Sequence, residues 1–204
     1  IGHTRERVPA PGSAALARVR PRPAAEPRSE PYAAGQDEPA RLVPFGDGRR
    51  YHVTGLFHDA SGFPTEDPAE VDALLRRLHA KVDLHRDELP AVEELELHDA
   101  EVAVFACGIA ARAARAAVAQ ARAGGLRAGL LRPLTLRPFP DEAVARTARQ
   151  VNTIVAAEMN LGQLAREVAR AAAGACRVDQ LNRVDGAPIW PAQVLERLRA
   201  AVPA

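Results

Sequence analysis

Apolar positions along the chain change their spacing twice, and each change separates one kind of segment from the next. Residues 9–44 show no apolar period and hold eight of the 17 prolines, from Pro9 to Pro44. A connector over residues 9–66, extended and without a core of its own, is therefore expected. Within it, Tyr51 to Leu56 reads as a short strand, and His58-Asp59-Ala60-Ser61-Gly62 as a polar turn. Glu66-Asp67-Pro68 places an acidic cap and a first-turn proline ahead of Val71, Leu74, Leu75, Leu78 and Val82. That i, i+3, i+4, i+7 stripe predicts an amphipathic helix, a linking element over 67–90.

Beyond Asp99, short apolar runs alternate with helical stretches. The runs Val102 to Ala106, Leu126 to Leu131, Val151 to Ala157 and Cys176 to Leu181 predict strands. Helices are expected from Ile109 to Ala123, from an Asp141 cap to about Arg149, from Leu161 to Ala173 after an Asn160 cap, and from Pro191 to Ala201. Four strand-helix units with strands apolar on both faces predict an α/β class chain. The expected architecture is a three-layer α/β/α domain with a mostly parallel sheet over residues 95–204.

Composition narrows the function classes. The 27 basic and 26 acidic residues leave a net charge of +1 over 204 residues, so no chain-wide field exists to hold nucleic acid or an anionic membrane. Neither partner is expected. No run approaches the roughly 18 apolar residues of a membrane helix, and a cytoplasmic protein is the expectation. All the basic residues but Lys81 are Arg, and Ala is very abundant; this bias carries no function. Cys107 and Cys176 stand far apart, outside any C-x-x-C pair, and are expected to be small buried apolar residues rather than a disulfide, zinc or iron-sulfur framework. The six histidines are scattered without an i, i+4 metal pair, so no metal site is expected.

In an open parallel sheet, ligands and partners are met where the strands end, which directs attention to the loops after the four runs. After the first run, Gly108 stands at a strand-to-helix turn whose amides could hold an anion or only close the turn. Neither G-x-G-x-x-G nor G-x-x-x-x-G-K-[ST] occurs, so the backbone cradle of a dinucleotide or nucleoside triphosphate is absent. The third run ends in Glu158-Met159-Asn160-Leu161-Gly162-Gln163, where a carboxylate, two amides and a glycine crowd one turn. Two readings stand side by side. In one, Asn160 caps a helix, Gly162 permits close packing and Glu158 accepts from nearby amides; in the other, Gly108, Glu158, Asn160, Gly162 and Gln163 touch a ligand or a partner subunit. His58 and Asp59 read as a turn against another domain, since adjacent side chains point apart and no nucleophile stands ready to use them. No catalytic set emerges.

Several unrelated motifs recur in the order of one family. Ile-Gly-His-x-Arg-Glu at 1–6, Pro-Phe-Gly-Asp-Gly at 44–48 and His-Val-Thr-Gly-Leu-Phe-His-Asp at 52–59 come first. Pro-Phe-Pro at 138–140, Glu-Met-Asn-Leu-Gly-Gln at 158–163 and Asp-Gly-Ala-Pro-Ile-Trp-Pro at 185–191 follow. Together they resemble the alpha subunit of 2-oxoacid:ferredoxin oxidoreductases. The resemblance implies a carboxy-terminal portion: residues 1–8 closing a thiamine-pyrimidine-binding domain, then the connector, then a domain similar to the transketolase carboxy-terminal domain. It fits the absence of an initiating Met before Ile1. It further implies coenzyme A-dependent oxidative decarboxylation of a 2-oxoacid, leaning to 2-oxoglutarate, by a full complex with thiamine diphosphate, Mg²⁺ and iron-sulfur clusters, and with ferredoxin as acceptor. The cofactor-binding groups belong to the amino-terminal domain, a thiamine-binding beta subunit and a gamma domain or subunit, so no cofactor site is expected in these 204 residues. An oligomer without turnover of its own is the expectation. One departure is visible: where the family commonly has Glu after His-Asp, this chain has Ala60.

Overall fold

The computed structural model describes residues 29–89 and 92–202; the motif at 1–6 and the first part of the connector lie outside them. The chain divides into two units at Leu84 and His85.

In the first unit, residues 29–66 run without regular elements. Single hydrogen bonds hold the path: Ser29 N–H donates to Arg50 O (3.0 Å), Tyr32 N–H to Ala60 O (3.1 Å), and Arg41 N–H to Pro31 O (2.9 Å). The strand expected over Tyr51 to Leu56 does not form. An isolated bridge joins His58 to Pro64 just beyond it. Among the described residues no neighbouring extended segment offers that stretch a continuous ladder; His52 N–H donates singly to Ser61 O (3.3 Å), while the loop at 57–65 closes on itself, Thr65 N–H donating to Phe57 O (2.9 Å). Helix α1 (Pro68–Asp83) follows, with Pro68 at its first position and the Asp67 carboxylate accepting from the amides of Ala69 and Glu70. It ends seven residues before Pro90. None of its residues is buried, and Leu75 and Leu78 of its apolar stripe remain 41% and 40% exposed.

The second unit opens with a 3₁₀ turn and strand β1 (Val92–Leu95), then β2 (Val102–Phe105), α2 (Gly108–Ala123), β3 (Ala128–Pro133), α3 (Asp141–Gln150), β4 (Thr153–Glu158), α4 (Gln163–Ala172), β5 (Arg177–Asn182) and α5 (Pro191–Ala201). The sheet order is β1-β3-β2-β4-β5, parallel from β3 to β5 and antiparallel at β1. The expected mostly parallel α/β/α layering is what forms. Strand β1 lies outside the expected four, because two glutamates sit in the middle of its Val-Glu-Glu-Leu. As an edge strand it tolerates them: Glu93 accepts from Arg132 (2.7 Å) and from Arg115, and Glu94 from Arg146.

Alternation along β2 sorts its side chains between two cores. Val102 and Val104 join the α2 and α5 side, with Leu130, Val155, Val194 and Leu198; Ala103 and Phe105 join the α3 and α4 side, with Leu131, Val144, Ile154 and Val168. Strands β2 and β4 are buried on both faces, whereas β5 alternates as an edge strand and departs from the expected double burial. Helix α2 lies close to the sheet through Ala110, Ala114, Ala117 and Ala121, all buried. Pro-Phe-Pro at 138–140, with a cis bond before Pro138, directs Phe139 to within 5.8 Å of the Phe105 ring.

Candidate functional site

Strand β2 is flanked by β3 on one side and β4 on the other, and the helices that follow β2 and β4 lie on opposite faces of the sheet. The loops after β2 and β4 therefore diverge, which opens the crevice where doubly covered sheets meet ligands and partners. Gly108, Glu158, Asn160, Gly162 and Gln163 come together here. His58 and Asp59 belong to the first unit.

Glu158 closes β4 with its side chain 3% exposed. Its two oxygens are both engaged: Leu164 N–H donates to Oε2 (2.8 Å) and Ala165 N–H to Oε1 (2.9 Å). The carboxylate thus satisfies two of the free amides opening α4 and adds a negative charge at the positive end of its dipole. Asn160 Oδ1 accepts from the amides of Gly162 (2.9 Å) and Gln163 (2.8 Å). The helix begins two residues later than expected. Asn160 shapes the turn, and Gly162, left-handed at φ 93°, stands at the cap. A Cβ on Gly162 would lie 2.7 Å from Gln180 Oε1, so β5 also packs against this turn.

Across the crevice, Cys107 precedes α2 and is half-buried, not fully buried as expected; Cys176 is half-buried as well. Burial pushes the Cys107 thiol above its ordinary range, and the neighbouring Glu158 charge adds to the rise. Burial raises Cys176 too. A thiol held in its neutral form is a weaker nucleophile and metal ligand than a thiolate. Gly108, at φ 54°, has open space where a Cβ would stand. The β5–α5 loop is tied down by Arg183, which donates to Asp185 (2.7 and 3.0 Å) and to Pro188 O (3.1 Å). Ile189 is buried while the adjacent Trp190 is 58% exposed.

In the first unit, Asp59 organises a closed loop. Its Oδ1 accepts from the Ser61 hydroxyl (2.7 Å), Ser61 N–H (2.8 Å) and Phe63 N–H (3.0 Å). The Ser61 hydroxyl leads, with the loop amides, in holding this carboxyl below the usual carboxylate range against the opposing effect of burial. His58 packs its ring 4.1 Å from that of Tyr32, and His52 stacks on Phe63 at 4.7 Å. Three bonds to Oδ1 tie Asp59 into its own loop, and His58 Nδ1 lies 3.0 Å from Asp59 O, so the two residues form a structured turn.

Groups for a cofactor are equally engaged. Among the described residues no three His, Cys, Asp or Glu side chains gather as a metal set. Cys107 follows a strand and Cys176 precedes one, at opposite ends of the parallel sheet, so they do not fit a common cluster. No described helix is long and apolar enough to cross a membrane. Reasoning from motifs overlooked the large apolar side chains projecting from these loops: Met159, Leu161, Leu134, Leu136 and Trp190. The signal was present, since Pro-Leu-Thr-Leu and Glu-Met-Asn-Leu place apolar residues among turn formers, where no core periodicity accounts for them.

Residues 100–194 match the pyruvate:ferredoxin oxidoreductase core domain II family. A 2-oxoglutarate synthase subunit KorA from Methanothermobacter thermautotrophicus is 36% identical over 200 residues, covering 97% of this chain and 53% of that protein. A ketoisovalerate oxidoreductase subunit VorB from the same organism is 36% identical over 147 residues, covering 72% of this chain and 39% of that protein. The chain thus spans about half the length of the relatives it matches. A solved 2-oxoglutarate:ferredoxin oxidoreductase from Magnetococcus marinus shares the fold with a TM-score of 0.64 at 19% identity, over 90% of this chain and 32% of that one. With core domain II matched across most of the α/β unit and the likeness to the synthase subunits running along nearly all 204 residues, the chain belongs to the 2-oxoacid:ferredoxin oxidoreductase family.

Proposed function

We propose that this chain is the assembly portion of a 2-oxoacid:ferredoxin oxidoreductase alpha subunit, one that packs, orients and oligomerises without turning over substrate alone. The observation that carries the reading is the 36% identity to a 2-oxoglutarate synthase subunit along 97% of the chain. Two features support it. The Glu158 carboxylate accepts from two backbone amides and Asp59 Oδ1 from the Ser61 and Phe63 amides, roles that shape turns. Helix α1 and the connector carry exposed Leu75, Leu78, Phe45 and Leu56, apolar surface suited to contact with other polypeptide. His58 and Asp59, with Gly108, Glu158, Asn160, Gly162 and Gln163, are positioning residues for subunit contact in this reading.

The complete enzyme would be cytoplasmic and would oxidatively decarboxylate 2-oxoglutarate with coenzyme A, reducing ferredoxin. Thiamine diphosphate, Mg²⁺ and iron-sulfur clusters would be held by the amino-terminal domain, the beta subunit and the gamma domain or subunit. Calorimetric titration of the purified chain with thiamine diphosphate and Mg²⁺ is expected to give no binding heat. Coexpression with the remaining alpha-subunit domain and the beta subunit is expected to give a complex active on 2-oxoglutarate. Tight thiamine diphosphate binding by the chain alone, or failure to associate with either polypeptide, would overturn the reading.

A further inference from the structure

Two Asp-Gly pairs stand in the chain, Asp47-Gly48 and Asp185-Gly186, and Asn-Gly does not occur. In such a pair the amide nitrogen of the glycine, with no Cβ to shield it, can reach the carboxyl carbon of the preceding side chain. Whether it does so depends on what holds the carboxylate. The structure treats the two pairs in opposite ways.

Asp185 is held. Arg183 donates to its two oxygens (2.7 and 3.0 Å), and Ala187 N–H donates to Oδ1 (3.1 Å). The Arg183 bonds lead, with the Ala187 amide, in keeping this carboxyl below the usual carboxylate range. An ionised carboxylate offers an attacking amide no good leaving group. Arg183 also reaches Pro188 O (3.1 Å) and so ties down the loop that carries the pair. Asp47 is free by contrast. Residues from Pro44 to Gly48 are all exposed, and among the described residues no hydrogen bond or ion pair holds the Asp47 carboxylate. One long bond closes the turn, from Asp47 N–H to Pro44 O at 3.4 Å, and a Cβ at Gly46 or Gly48 would meet nothing within 4 Å. The turn therefore has room to bring Gly48 N against Asp47 Cγ.

We propose that Asp47 is a site of spontaneous isoaspartate formation and that Asp185 is protected from it. The Gly48 nitrogen bonds to Asp47 Cγ, the amide proton and the side-chain hydroxyl leave as water, and a succinimide ring closes. Water then adds at either ring carbonyl. Opening at one restores Asp47; opening at the other routes the main chain through the former side chain, lengthens it by a methylene and leaves the α-carboxyl free. A water is lost and a water regained, so no oxidant or reductant takes part. The free α-carboxyl is the group that an isoaspartyl carboxyl methyltransferase esterifies from S-adenosylmethionine, which gives the site its class of enzyme partner. Val43, 3% exposed, anchors the chain just before the turn, whereas Phe45 is 98% exposed. The inserted methylene falls just after that ring and re-aims it.

The test incubates the 204-residue chain near neutral pH, folded and in urea, with circular dichroism confirming the folded sample. Trypsin leaves the two pairs on separate peptides, 42–49 and 184–197. Isoaspartate is read on each by electron-transfer fragmentation, and in the whole chain by methyl transfer from labelled S-adenosylmethionine. In the folded chain Asp47 is expected to convert at least about tenfold faster than Asp185, the scale of the charge-assisted bonds that hold the second pair. In urea the two rates are expected to converge. Asp47→Glu, whose longer side chain closes a ring far less readily, is expected to lose the folded-state methylation. Arg183→Ala is expected to raise conversion at Asp185, and the urea comparison serves if that variant fails to fold. Equal conversion of the two pairs in the folded chain, faster conversion at Asp185, or no isoaspartate at Asp47 when the urea sample shows it, overturns the proposal.

Discussion

A buried carboxylate that accepts two amides at a helix start does a different job from one poised for acid-base work, and Glu158 is of the first kind. Leu164 and Ala165 would each lose an acceptor if it were removed. Glu158→Gln keeps the shape but turns one acceptor into a donor facing an amide. It is expected to cost about 1–3 kcal/mol in equilibrium urea unfolding, the scale of a buried group left unsatisfied. Asp59 makes the complementary prediction on the pH axis. Its carboxyl is held below the usual carboxylate range in the folded loop, chiefly by the Ser61 hydroxyl. The stabilisation is therefore present above the unfolded carboxyl's titration and is lost as pH falls through the lower folded value. Protection of the Ser61 and Phe63 amides, followed by NMR, is expected to decline as pH drops below about 4. In Asp59→Asn that acid-dependent step should vanish.

Elements in this chain follow from local pattern where a buried face sets the period, and depart from it where an edge or a turn does. The apolar stripe of α1, the alanine face of α2 and the first-turn Pro191 of α5 were all readable, and their helices form. Strand β1 was not legible, because Glu93 and Glu94 hide a strand whose acids are satisfied only by arginines from α2, β3 and α3. The strand read into Tyr51 to Leu56 failed for the converse reason: its residues favour extension, but no neighbour supplies a ladder. Strand β3 shows how tightly elements meet. A Cβ on Gly129 would lie 2.6 Å from Leu97 Cδ2 and 2.9 Å from Glu96 O, in the loop crossing over it. Gly129→Ala is expected to cost about 1–3 kcal/mol through forced displacement of that loop, read as a lowered urea midpoint with unchanged slope.

At the scale of the whole molecule, the three central strands carry the fold. Val104 is fully buried between Leu130 and Val155 in register. Val104→Ala is expected to cost about 1–3 kcal/mol through the cavity left behind; an unchanged urea melt would argue against β2 as the centre of the core. The loop residues of the candidate site were legible as types, since Glu, Asn and Gly at a strand end announce a turn. Their bonding partners were not, because Leu164, Ala165 and Gln180 reach them only after α4 and β5 have packed. What the amino-acid order determined unaided is the alternation of strand and helix and the family to which the chain is akin: both depend on near neighbours and on motif order, which need no third dimension. The tertiary structure alone decided the strand order, the antiparallel edge, the engagement of Glu158 and the gathering of apolar loops at one end. Those outcomes rest on contacts between residues distant in sequence, and no local period encodes them.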